Sequence, residues 1–456
     1  MTSTTQDTQT LERRLGPFDG AAIIVSNVIG GGILFLPPQI AASVPSALTF
    51  LSTWLAGGLL AFAGAMAYAE LAALRPRAGG EYVYLREAYG RLAGFLTGWT
   101  SFVAGFSGAM AASAIVLTFY LDRFIPGAAN STPFFVLPVP FVPVTVSIQT
   151  LVASAAIVVA ALVHIVGVGP GRTVTNILAA LKVTAFVAFI AFGLTLGTGA
   201  TSNLQDAVAP VTTAGWLFAL IPIMFTYSGW NAAAYMAEEI RNPGRNVPLA
   251  LALGTVAVTV IYLLMNVLFI YVLGIGGLAA VQGSVLDVVA DRLLGVTAGD
   301  IMGIVSIVSL AAGINAFTFA GPRVYFAMAR DGAFFKSAAH IHPKFKTPAV
   351  SITAQAAFAI LLVLTGSLDA LANYVGFAIT LFLGLAVAAV FVLRAQDPDA
   401  PRPFRTLGYP VTPALFVLAS AAIVANAFYS DLRRTLIGAA IILAGIPFYY
   451  FFKRQR

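Results

Sequence analysis

Apolar residues run in blocks of 18 or more along nearly the whole chain, separated by short polar connections. A helix needs about 20 apolar residues to cross a bilayer. Twelve blocks of that order are present, at 18–42, 47–73, 88–121, 144–165, 174–197, 216–239, 248–274, 300–328, 349–366, 370–394, 409–429 and 433–452. The third and eighth are long enough for a strongly tilted or projecting helix. The last two are about three residues apart and predict a tight helical hairpin. The pattern predicts an all-α polytopic membrane protein with twelve spans.

Two blocks are interrupted. The first contains Val28-Ile29-Gly30-Gly31-Gly32-Ile33. Each glycine inside a helix costs roughly 1 kcal/mol relative to alanine, and lipid offers no water to freed backbone groups. The sixth contains Thr226-Tyr227-Ser228-Gly229-Trp230. Glycines also permit close helix packing, but paired breaks at matching places in two halves point to a transporter's binding site. The N–H groups of a half-helix suit a carboxylate, and freed carbonyls suit an ammonium group. The two together suit a zwitterionic α-amino acid. Candidate substrate-binding residues at the breaks are therefore Ile29, Gly30, Gly31, Gly32 and Ile33, with Tyr227, Ser228, Gly229 and Trp230.

Composition agrees with the pattern. The 456 residues are 59% hydrophobic and 9% charged, whereas soluble domains carry about 25% charged residues; the mean hydropathy is +0.91. The net charge of +7 does not point to nucleic acid, because the basic residues sit in loops between apolar blocks. With the N-terminus inside, nineteen Lys and Arg fall on the cytoplasmic side and four outside, while Lys182 and Arg323, the remaining two of 25, lie within spans. This bias predicts cytoplasmic termini in a cell membrane. The first five spans then oppose the next five, with a break opening each set, as in an inverted 5+5 repeat followed by two helices. The expected units are a tail at 1–17, repeats at 18–197 and 216–394, and a closing pair at 395–456. The tail has no apolar core and is not a signal peptide; it is expected to be mobile or to form an amphipathic turn. The loop at 133–143 is expected to be an ordered extracellular cap or a re-entrant turn. The absence of cysteine excludes a disulfide-linked subunit. Three histidines without ligand spacing give no metal site, and no cofactor is expected. The expected partners are a small amino acid substrate and the lipid bilayer, with the chain a monomer or weak homodimer.

Five motifs carry a family resemblance. Ile29-Gly30-Gly31-Gly32-Ile33 resembles the G-[SG]-G-I motif in the first helix of amino acid–polyamine–organocation (APC) permeases. Phe225-Thr226-Tyr227-Ser228-Gly229-Trp230-Asn231 resembles the F-x-Y-x-G-W-N stretch of their bacterial L-type amino acid transporter branch. Residues 238–248 are similar to the following E-E-x-x-N-P-x-R-N-x-P loop. Residues 323–332 are similar to R-x-x-x-A-M-A-R-D-G, and residues 76–84 to P-x-x-G-G-x-Y-x-Y. The resemblance implies a leucine-transporter-type fold. It also implies a substrate carboxylate on Gly30, Gly31 and Gly32, and an amino group near the carbonyls of Ile29, Phe225 and Ser228. Phe225 matches an aromatic gate, although a lipid-facing or core role is the commoner one for phenylalanine. Gly31 stands where many relatives have serine. Ser228 stands where L-type members often have glycine; its side chain either narrows the pocket or supplies a hydroxyl.

Lys182 lies about ten residues beyond Arg172, roughly 15 Å into its span and near the bilayer midplane. An ionisable group there is costly and by default functional. It matches the fifth-helix lysine that replaces sodium in some permeases. In that reading it links the first break to the eighth helix near Asn315 or Thr318 and is a candidate for proton coupling; a structural tether that never changes protonation is the alternative. Arg323, two turns inside its span, has Glu70, Glu238 and Glu239 as candidate partners for a cytoplasmic gate or structural ion pairs. His164 reads as an interfacial residue. No carboxylate lies deep in a span, which weakens both a cationic substrate and an acidic proton relay. The expected function is secondary transport of neutral L-amino acids by alternating access, as a proton symporter or an exchanger. A basic amino acid or polyamine antiporter is the first rival, and a channel or non-transporting sensor of this fold the second. No nucleophile–base set or metal cluster supports an enzyme.

Overall fold

The computed structural model describes residues 11–139, 143–295, 298–365, 368–430 and 432–454. The chain is almost wholly helical. The first block divides into α1 (Pro17–Val28), α2 (Gly31–Phe35) and α3 (Pro37–Ser43), and α4 (Ala47–Leu74) follows. Pro17 opens α1 and the Asp19 carboxylate accepts the Gly16 N–H at 2.7 Å, an acidic cap where the helix dipole favours one. The loop helix α5 (Glu81–Tyr89) precedes α6 (Arg91–Thr100) and α7 (Phe106–Leu121), which are joined by a π-helical turn at Ser101–Gly105. Then come α8 (Ile148–Val166), α9 (Val168–Thr195) and α10 (Thr213–Thr226). After a non-helical passage come α11 (Pro243–Ala279), α12 (Val285–Leu294) and α13 (Ala298–Arg330). The chain closes with α14 (Ala349–Leu364), α15 (Leu368–Gln396), α16 (Val411–Ser430), α17 (Leu432–Leu443) and α18 (Gly445–Arg454).

Among the described residues ten helical stretches are long and apolar enough to cross a membrane, and α10 and α14 are shorter apolar helices. This is an integral, all-helical polytopic membrane protein. Its only described strands, β1 (Phe135–Leu137) and β2 (Val144–Val146), pair antiparallel with Val136 opposite Thr145. They fall in and beside the loop read as a cap or re-entrant turn, whose residues 140–142 lie outside the described ones.

The broken helix α1/α2 packs through α1 on α9, α11 and α13. Ile23, Ile24, Val28 and Ile29 are buried there together with Trp54, Tyr262 and Phe319. In contrast, α16 turns Leu415 and Leu418 outward at the edge of the molecule, as suits a lipid-facing helix.

The N-terminal segment differs from its expected mobility. Leu11 and Leu15 are buried. Leu15 donates to the Glu239 carbonyl at 3.0 Å and accepts from Arg241 at 2.9 Å, while the Leu11 N–H reaches Glu238 Oε1 at 3.1 Å. Two leucines four residues apart, Leu11 bonded to the Glu238 carboxylate and Leu15 to the backbone of 239 and 241, hold 11–15 against the body. Residues 1–10 lie outside the described ones.

Candidate functional site

Helix α1 ends at Val28. Ile29 is extended, and α2 restarts at Gly31. The three glycines are not equivalent. A Cβ on Gly30 would meet nothing within 4 Å, and one on Gly31 only the Phe35 ring edge at 3.9 Å. A Cβ on Gly32 would lie 2.9 to 3.0 Å from Thr226. Close packing therefore accounts for Gly32 alone, and Gly30 and Gly31 face open space. Gly30→Ala should fold normally, because the added methyl has room, yet slow transport by about tenfold or more by crowding the freed N–H groups. Gly32→Ala should instead lower the melting temperature, since backbone and side chain of Thr226 must both give way. Purified yield, thermal unfolding and transport rate, measured together, separate the two.

The second break is longer. After α10 the chain turns through 227–231, with Gly229 at φ +103° against Asn27, and continues as a 3₁₀ turn at Ala232–Met236. Glycine is the residue that adopts this φ without strain. The two breaks face each other across a cavity of about 430 Å³. Ser26 to Gly32 form one wall and Phe225, Thr226, Ser228, Gly229 and Asn231 another. The π turn of α6–α7, Ser309 and Gly313 of α13, and Phe382 of α15 complete it. π turns recur at functional sites because they displace a backbone segment from helical register.

Three expected site residues do not line this cavity. Ile33 is buried on the opposite face of α2. Tyr227 is buried against Trp54 and Tyr262, with its hydroxyl on the Trp54 carbonyl at 3.2 Å. Trp230 packs on Tyr68 and Phe416. A non-helical passage turns residues inward without a fixed period, and here the smaller Ser228 and Gly229 face the space. Phe225 is 47% exposed and borders the cavity, near Gly376 of α15.

Lys182 of α9 is fully buried. Its Nζ donates to the carbonyls of Ile29 at 2.5 Å and Ser26 at 3.2 Å. Ser309 Oγ donates to the same Ile29 carbonyl at 3.3 Å. The expected link to α13 is therefore made by Ser309. Asn315 instead joins His164 at 2.8 Å and Thr175 at 2.7 Å, and Thr318 bonds the Ile314 carbonyl within its own helix. His164 is thus a buried partner of Asn315 rather than an interfacial residue, held under Gly171, where a Cβ would lie 2.5 Å from its ring. Tyr262 of α11, whose apolar block carries no sign of it, lies between the breaks. Its hydroxyl is 2.8 Å from the Val28 carbonyl and 3.3 Å from that of Thr226.

Toward the end where α1 begins, three ion pairs sort the candidate partners. Arg323 and Glu239, 1% and 0% exposed, form a bidentate pair at 2.7 and 3.1 Å. Arg323 also reaches the Phe319 carbonyl at 2.6 Å. Glu238 takes Arg330 at 2.8 Å on both oxygens, and the Ala78 N–H at 3.0 Å. Glu70 takes Arg394, with Arg402 and Thr406 beside it. Each arginine fork matches a carboxylate geometrically, which suits partly desolvated pairs.

One carboxylate at the cavity was not anticipated. Glu81, at the variable position of the Gly79-Gly80-x-Tyr82 motif, is 5% exposed and lines the cavity. No span contains it; the loop carries it in. Gly79 and Gly80 take φ of +117° and +52°, and a Cβ on Gly80 would lie 2.5 Å from the Tyr235 ring. The motif's two glycines therefore let α5 begin directly beneath the second break.

A model of the amino acid permease family matches residues 15–451. The mouse (Mus musculus) b(0,+)-type amino acid transporter 1 is 30% identical over 455 residues, covering 99% of this chain and 90% of the relative. The serine/threonine exchanger SteT of Bacillus subtilis is 27% identical over 452 residues, 98% of each. The human (Homo sapiens) large neutral amino acids transporter small subunit 2 is 30% identical over 451 residues, 96% of this chain and 80% of the relative. The chain belongs to the amino acid permease family of the APC superfamily and is an amino acid transporter.

Proposed function

We propose that this transporter carries neutral L-amino acids by alternating access, with the zwitterion held between the two breaks. The observation that carries this reading is the pair of interrupted helices facing one cavity, with Gly30 and Gly31 open to it. The substrate carboxylate takes the N–H groups of Gly30, Gly31 and Gly32. The Ile29 carbonyl already accepts from Lys182 and Ser309, which fills both lone pairs, so the substrate's amino group falls mainly to the carbonyls around Phe225 and Ser228. Phe225 closes over the substrate. Lys182 serves as the fixed cation of the first break, in the place a sodium ion holds in other transporters of the leucine-transporter type. The fold is read as twelve spans in a 5+5 inverted repeat at 18–197 and 216–394 with two closing helices, and with both termini cytoplasmic. The Arg323–Glu239, Arg330–Glu238 and Arg394–Glu70 pairs then close the cytoplasmic side, and their exchange for water accompanies opening.

The relative named as a serine/threonine exchanger supports exchange as one mode, and the one named for large neutral amino acids supports neutral substrates; proton symport is the other mode. The test is uptake of labelled alanine, serine and leucine into proteoliposomes, empty or preloaded. Neutral substrates should be carried, with Phe225→Ala raising the apparent KM. Carriage of arginine and polyamines alone would overturn the neutral reading and leave the basic antiporter, for which the Glu81 carboxylate is the one supporting observation.

A further inference from the structure

The chain has six glutamates, and five of them hold an arginine. Glu12 pairs with Arg14, Glu70 with Arg394, Glu87 with Arg75, Glu238 with Arg330 and Glu239 with Arg323. Glu81 has no ion pair among the described residues, although it is more deeply buried than Glu12, Glu87 and Glu238. A buried carboxylate without a cation is costly when charged, so its presence calls for a reason.

Its surroundings are neutral donors. Tyr68 donates to Oε1 at 3.0 Å, Tyr235 at 2.7 Å, and Asn231 Nδ2 donates to the same oxygen and to the Tyr235 hydroxyl. Oε2 takes no neighbouring side-chain donor among the described residues. The charged groups on the packed elements are engaged elsewhere. Arg394 of α15 is held by Glu70, Arg323 and Arg330 of α13 by Glu239 and Glu238, and Arg86 of α5 by Asp331; Arg91 at the start of α6 is exposed. The other titratable neighbour is Tyr84, on α5 itself.

We propose that Glu81 is a proton-binding site of the transport cycle, loaded from cavity water at the floor of the substrate cavity. Loading forms an O–H bond at Oε2 and needs none of the three hydrogen bonds on Oε1 to break. When the cavity opens to the other side, that bond breaks, the proton returns to water and the carboxylate reforms. One proton and one net-neutral zwitterion then cross per cycle. The geometry also couples charge to conformation: the ionised carboxylate draws Asn231 and Tyr235 of the second break onto α4 and α5, and the neutral carboxyl holds them less tightly. Burial raises the affinity of Glu81 for a proton above that of an ordinary glutamate, while the hydrogen bonds from Tyr235, Tyr68 and Asn231 oppose it. Loading therefore takes place at a higher pH than for an exposed glutamate, and unloading requires the pH to rise past that raised value. This assignment rests on transport of a zwitterion and does not use Lys182 for proton transfer.

The test uses purified full-length protein in proteoliposomes, with wild type beside Glu81→Gln and Tyr235→Phe. Glutamine keeps an Oε1 acceptor for all three donors and imitates the protonated carboxyl. Wild type should accumulate labelled alanine under an inward pH gradient, up to about tenfold per pH unit at one proton per substrate, and take up protons on adding alanine. Glu81→Gln should still exchange alanine at equal pH, with gradient-driven accumulation and proton uptake lost. Tyr235→Phe removes one donor from the anion and should keep coupling with its pH midpoint moved upward. Accumulation surviving in Glu81→Gln, or a wild type that exchanges alanine without any proton uptake, overturns the proton assignment alone. So does a Glu81→Gln variant that loses competition by lysine while keeping its pH response, which would make the carboxylate a subsite for a side-chain ammonium. A wild type that carries no amino acid at any pH overturns the zwitterion site itself.

Discussion

Lys182→Met is expected to lower transport by about a hundredfold or more, with the protein still inserted and purified in normal yield. Methionine fills most of the lysine's volume, so the loss isolates the ammonium. Ser26 and Ile29 then lose the charged donor that their carbonyls share, and Ile29 keeps only the Ser309 hydroxyl. A hydrogen bond to a charged group contributes about 1.5 to 3 kcal/mol, and about 1.4 kcal/mol corresponds to a factor of ten in rate. Ser309 keeps only one weaker bond to Ile29, so Ser309→Ala alone should cost a few-fold. Initial rates of alanine exchange, normalised to reconstituted protein, provide the measurement. A Lys182→Met variant with near wild-type exchange would show that the break keeps its shape without a cation, and would remove Lys182 from the site.

Breaking the Arg323–Glu239 pair from one side is the second large effect. Arg323→Met leaves the Glu239 carboxylate buried without its partner, and Glu239→Leu leaves the guanidinium in the same position. Each should lower stability by about 3 to 5 kcal/mol, because the remaining charge keeps its desolvation cost. The double variant should recover much of that loss, since two apolar side chains can replace a buried pair at little net cost. Arg323 also holds the Phe319 carbonyl and lies over the Phe319 ring at 4.4 Å, so recovery will be incomplete. Unfolding of the four proteins in detergent completes the cycle. Single variants within about 1 kcal/mol of wild type would mean that the pair is hydrated in solution. If the pair closes one side of the cavity, the stable double variant should also exchange faster, or leak substrate, at equal stability.

Much of the architecture was legible in the amino-acid order. Lipid demands long apolar runs and satisfied backbones, so the long apolar helices and their interruptions follow from local content. Gly30 and Gly31 could be read as a site because helix interiors disfavour them and a second break matched the first. Pairing between distant segments was not legible. Three arginines and three glutamates near one face admit several matchings, and only the approach of α13 to residues 238–239 and of α15 to α4 selects Arg323–Glu239, Arg330–Glu238 and Arg394–Glu70. The same holds for Ser309 replacing Asn315 at the Ile29 carbonyl, a shift of nearly two helical turns along α13 that depends on how that helix slides against α1. Within the second break the backbone has no period, so the sequence carries no rule for which of Tyr227, Ser228 and Trp230 faces inward. Glu81 was hidden for a related reason. Hydropathy assigns it to a loop, and only the tertiary fold, through the glycine turn at 79–80, lowers that loop into the protein and places a carboxylate on the floor of the cavity.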